Sequence, residues 1–100
     1  MLRHVILWQL KDELTGEEKQ KVKQDIKDGL EGLNGKITGL ESLDVHINGL
    51  PASTADVMLD AWVAEDAFHD YAENPEHKKV AVEKIRPFVK SKMVLDYLAK

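Results

Sequence analysis

The sequence predicts an α+β sandwich, with one antiparallel sheet carrying its helices on a single face. Three observations point to it. Apolar and polar residues alternate with period two through Leu43, Val45 and Ile47 and again through Val57, Leu59, Ala61 and Val63, the mark of half-buried strands. Val22, Ile26, Leu30 and Leu33 recur at helical spacing in one apolar stripe, which suits a helix lying on a sheet. The order strand, helix, strand, strand, helix pair, strand is that of a ferredoxin-like fold.

Leu2 to Leu10 reads as the first strand. Leu2, His4, Ile6, Trp8 and Leu10 fall on one side, and Arg3, Val5, Leu7 and Gln9 on the other. A strand apolar on both sides needs cover on both, so it sits centrally. Thr15-Gly16-Glu17-Glu18 has the form of a capping box, and Gly32 and Gly35 are the expected stops of the helix it opens. Gly39 precedes the second strand, Gly49 to Thr54 is a loop by composition, and Asp56 to Val63 is the third strand. A short helix from Glu65 to Glu73 turns Ala67, Phe68 and Tyr71 inward. Asn74 caps the next helix with Pro75 in its first turn, which places His77 where its side chain can reach back to the cap. Val80, Ile85, Phe88 and Val89 form that helix's inner face and Pro87 shortens it. Met93 to Leu98 closes the sheet.

Helices on one face leave the other face bare. Ile6, Trp8, Met58 and Trp62 are the expected apolar layer there, and two such faces packed together predict a homodimer. One hundred residues allow one domain, residues 1–100. Fourteen basic residues against 18 acidic ones, well mixed, argue against nucleic acid and anionic membrane as partners. The absence of cysteine removes disulfide and thiolate chemistry. The apolar run after Arg3 is too short for a signal peptide or a membrane span, so a soluble cytoplasmic protein is the expectation.

The chemistry concentrates at Tyr71 to Val80. A titratable imidazole, His77, and a phenol, Tyr71, flank the Asn74-Pro75 turn. His77 suits general-base work near neutrality, and Tyr71 could donate to a developing enolate. The same residues also suit a helix cap and a core aromatic. His4, beside Ile6 and Trp8, reads first as a satisfied core histidine, whereas His46 and His69 read as solvated. The four histidines lack HxH, HxxxH or HExxH spacing, so no metal site is expected, and no cofactor motif is present.

Leu2-Arg3-His4-Val5-Ile6-Leu7-Trp8-Gln9-Leu10-Lys11, the Asn74-Pro75-Glu76-His77 turn after Tyr71, and the closing Val94-Leu95-Asp96-Tyr97 together resemble the stress-responsive A/B barrel domains. The resemblance spans the chain. It implies a homodimer whose ferredoxin-like sheets close an α+β barrel, with a pocket between each sheet and its helices. His4, Ile6, Trp8 and Phe68 are the candidate lining. Olivetolic acid cyclase, a plant relative, closes a polyketide ring by aldol condensation; by similarity its catalytic histidine maps onto His77, its supporting tyrosine onto Tyr71 and a first-strand histidine onto His4. Ala64 and the loop from Gly49 to Thr54 depart from the family pattern. Haem-dependent and cofactor-free monooxygenases share the barrel, without a specific residue for either here. The expectation is a homodimeric binder of a small hydrophobic ligand, with polyketide-cyclase-type acid–base catalysis as the alternative.

Overall fold

The alternating segments become four strands, and their register places the functional side chains. The computed structural model describes residues 1–99. Its elements are β1 (Leu2–Leu10), α1 (Gly16–Glu31), β2 (Leu40–Ile47), β3 (Val57–Val63), α2 (Phe68–Glu73), α3 (Pro75–Val80) and β4 (Val89–Leu98). A 3-10 turn, Glu65–Ala67, leads into α2, and α3 widens into a π turn over Ala81–Ile85. The sheet order is β2-β3-β1-β4, antiparallel throughout, with helices on one face.

Alternation along β1 and β3 turns Ile6, Trp8, Leu10, Val57, Leu59 and Val63 toward the helices, where they pack with Val22, Ile26, Leu30 and Tyr71. Ile6 and Trp8 therefore do not belong to the bare-face layer expected of them. They share a side with His4 and Leu10 and are buried under the helices. The bare face is built instead from Arg3, Val5 and Leu7 of β1, Met58 and Trp62 of β3, and Met93, Leu95 and Tyr97 of β4. Its polar centre is ordered. The Arg3 guanidinium grips Asp60 through Nε (2.8 Å) and Nη2 (2.7 Å), donates to the Tyr97 hydroxyl (2.8 Å) and lies 5.2 Å from the Trp62 ring. The grip of Arg3 holds the Asp60 carboxyl below the usual carboxylate range.

The two sheet edges differ. On β2, Asn34 exchanges two 2.8 Å bonds with the Leu43 backbone, Lys27 donates to the Val45 carbonyl (2.6 Å) and Glu31 accepts from the Val45 amide (3.0 Å). Among the described residues, no side chain covers the free edge of β4 in this way. An uncovered edge beside exposed apolar side chains is a surface suited to association.

Three local expectations change. Thr15 is the N-cap of α1 but its side chain makes no capping bond, so the capping box does not form. Gly32 ends that helix in a right-handed conformation, and of the two expected stops Gly35 alone is left-handed (φ 80°). β4 begins at Val89, four residues before the expected start, because Pro87 ends the helical path early enough for Val89 to pair with Leu10. Gly39 matters most for the helix hairpin: its φ is +89° and an added Cβ would lie 2.2 Å from the Ala67 Cβ. Gly39→Ala is expected to cost roughly 2 kcal/mol or more, from backbone strain and the clash together, measured by urea unfolding.

Candidate functional site

The site forms where the helix hairpin crosses the sheet. Asn74 stops α2 and starts α3, its Oδ1 accepting from the Glu76 amide (2.8 Å) and the His77 amide (3.4 Å). The cap thus uses the backbone of His77, and the imidazole does not reach back to it as expected. The ring points inward instead. Its Nδ1 is buried without a hydrogen-bond partner, as is the Tyr71 hydroxyl, and the two ring centroids are 4.7 Å apart. Tyr71 has no exposed surface.

A cavity of about 390 Å³ opens beside His77. Ile6, Trp8 and Leu59 of the sheet form its floor, and Ala72, Ala81 and Ile85 its helical wall. The two alanines leave the space. Leu30, Val89 and the cations Lys78, Arg86 and Lys92 complete the lining. This volume lies near the lower end of the range for small-molecule sites, and a mainly apolar lining with a few polar groups is their usual composition. A second crevice, by Thr15 and Lys11, is polar and carries the Lys19–Asp56 ion pair at 3.1 Å.

Behind His77 the aromatic residues form a chain. His4 lies 6.0 Å from the Tyr71 ring and 5.3 Å from Phe68, and Phe68 stacks on Tyr71 at 6.1 Å. His4 is itself buried, with Nδ1 hydrogen-bonded to the Asp96 carboxylate of β4. Burial, and secondarily His4, pushes the His77 pKa below its ordinary value, so the ring is neutral at pH 7. Burial, with Asp96 adding to it, pushes the Tyr71 phenol well above its own, so it remains a protonated donor. His77 is thus a neutral, unpartnered base in the cavity lining, and Tyr71 a neutral donor packed behind it.

The family model of the stress responsive A/B barrel domain matches residues 2–99. The chain belongs to that family. Among solved structures, this A/B barrel chain is similar to a dimeric protein of unknown function and ferredoxin-like fold from Bacteroides fragilis, at 28% identity and a TM-score of 0.88 over 96% of this chain and 93% of that one. A dimeric ferredoxin-like protein from Thermobifida fusca is 22% identical, with a TM-score of 0.77 over 98% of this chain and 90% of that one. A hydroxynitrile lyase from Passiflora edulis shares the fold at 15% identity and a TM-score of 0.72, over 99% and 93% of the two chains. No curated protein matches the chain.

Of the candidate residues in this A/B barrel domain, Ile6, Trp8 and His77 line the cavity, while Tyr71, His4 and Phe68 stand behind its wall. His46 and His69 are exposed. Asp96 as the partner of His4 was legible only through the register, since it alternates with Leu95 and Tyr97 onto the inner side of β4. Lys78, Arg86 and Lys92 carried no signal of a site in the sequence. No helix among the described residues is long and apolar enough to cross a membrane.

The depressed His77 pKa has a consequence for stability. The unfolded ring takes up a proton as pH falls through about 6.5, while the folded ring resists, so the native state loses stability below that point and none above it. Urea unfolding is expected to show a loss of stability as pH falls below about 6.5 that His77→Gln abolishes. An equal loss in the variant would assign the effect to other groups.

Proposed function

We propose that this A/B barrel domain works as a homodimer that binds a small hydrophobic molecule in the cavity between sheet and helix hairpin. The observation that carries the reading is the cavity itself, apolar in floor and wall, with the unpartnered His77 Nδ1 beside it. Self-association is supported by the dimeric neighbours and by the apolar bare face, where Met93 is 75% and Leu95 63% exposed. Trp8, on the cavity floor, gives the test. With Trp62→Phe removing the only other tryptophan, Trp8 fluorescence is expected to respond saturably to aromatic or aliphatic compounds. Ala81→Phe, which fills the cavity, should abolish the response. A response that survives Ala81→Phe would place the ligand elsewhere.

The second reading is acid–base catalysis of the polyketide-cyclase (aldol, lyase-like) type, with His77 as base and Tyr71, packed against it behind the wall, as the orienting donor. It is favoured by the two buried polar atoms without partners, an arrangement that costs stability unless a bound molecule satisfies it. A hydroxynitrile lyase on the same fold is consistent with it. Turnover of a β-keto or cyanohydrin substrate that His77→Ala and Tyr71→Phe both abolish, with binding retained, would establish this reading. Turnover indifferent to both substitutions would remove it.

A further inference from the structure

We propose that the molecule held in this cavity is an amphipathic anion, an apolar body ending in a single carboxylate or phosphate. The inference rests on the ligand-binding reading above and names the chemical class of the ligand. Every charged residue lining the cavity is a permanent cation, namely Lys78, Arg86 and Lys92, and no acidic residue joins them. This runs against the composition of a chain with four more acidic than basic residues. Lys78 is already paired with Glu73 at 2.5 Å. Arg86 and Lys92 make no ion pair or side-chain hydrogen bond among the described residues.

The position of Lys92 sharpens the case. It lies opposite Trp8 in the β1–β4 register, on the side of the strand that faces the helices. Two charged residues of β4 occupy that side: Asp96, opposite His4, and Lys92, opposite Trp8. Asp96 is matched within the chain by His4, and Lys92 is matched by nothing. A lysine placed there lays its aliphatic stem along the apolar floor and carries its ammonium at the mouth. Arg86 brings a planar fork suited to a carboxylate or phosphate from the opposite, helical side. An apolar tail on Ile6, Trp8 and Leu59 with its anionic head between Arg86 and Lys92 satisfies both halves of the cavity at once.

The test holds the tail constant and varies the head. Decanoate, decyl phosphate, decanol and decylamine are titrated into the Trp62→Phe protein below their micelle concentrations, with Trp8 fluorescence as readout. At least one anion is expected to bind about tenfold more tightly than decanol, the effect of two partly exposed ion pairs. Decylamine should bind most weakly, although the net charge of the protein would attract it. The tighter of the two anions identifies the head group. Arg86→Gln with Lys92→Gln should erase the anion preference, so that both anions bind no more tightly than decanol does to the same variant. If decanol binds as well as both anions, the head-group inference fails while the cavity remains a hydrophobic binding site. If no compound binds, the ligand-binding reading fails with it.

Discussion

Tyr71→Ala is expected to destabilise the protein by roughly 3–5 kcal/mol, a large part of what holds a domain of this size together. The side chain is completely buried, stacks on Phe68 and touches the His77 ring, so truncation leaves a hole at the junction of hairpin and sheet. Tyr71→Phe is expected to do the opposite. The hydroxyl is buried with no hydrogen-bond partner, so deleting it removes a desolvation penalty and should raise stability by about 1 kcal/mol. Urea unfolding at pH 7 separates the two. A phenylalanine variant that is more stable and yet fails to bind or turn over ligand would identify the hydroxyl as retained for function at the expense of stability. A variant that loses stability would mean that the hydroxyl is satisfied in solution.

Leu95→Asp is expected to break the dimer while leaving the monomer folded. Leu95 lies opposite Val5 on the bare face and is 63% exposed in the single chain, so aspartate there has little to disturb within one protomer. In a face-to-face dimer the same position carries a charge into an apolar interface twice, once from each copy. Light scattering should return twice 11.3 kDa for the native protein and 11.3 kDa for the variant at micromolar concentration, a shift in dissociation constant of more than about tenfold. The thermal midpoint of the variant should also fall and lose the concentration dependence of the native dimer. A variant that still scatters as a dimer would place the interface off this face.

The fold was largely legible because β2, β3 and α1 each declare their period and bury one face. Alternation at Val57 to Val63 and the stripe from Val22 to Leu33 gave the layers directly. The first strand was harder. Being apolar on both sides, it left open which side faced the helices, and Trp8 and Ile6 were accordingly expected on both; pairing with β3 resolves this, because Leu59 opposite Ile6 is buried in the core on the helix side. The Asn74-Pro75 turn was read correctly as a cap, since that cap depends on local backbone bonds. The direction of the His77 ring was not, because it depends on the packing of Tyr71 and the shape left by Ala72 and Ala81, which are far apart from Trp8 in sequence. The same holds for Arg86 and Lys92. Single surface cations have no period to betray them, and only the fold brings them to one opening.

The most direct test of a ligand site beside His77 is a ring-proton NMR titration of the histidines and tryptophans with a hydrophobic compound that quenches Trp8. His77 and Trp8 resonances should shift together and saturate at one dissociation constant, while exposed His46 and His69 and the bare-face Trp62 stay in place. Shifts confined to Trp62, or a binding isotherm to which His77 is silent, would contradict the account and move the site to the outer face of the sheet.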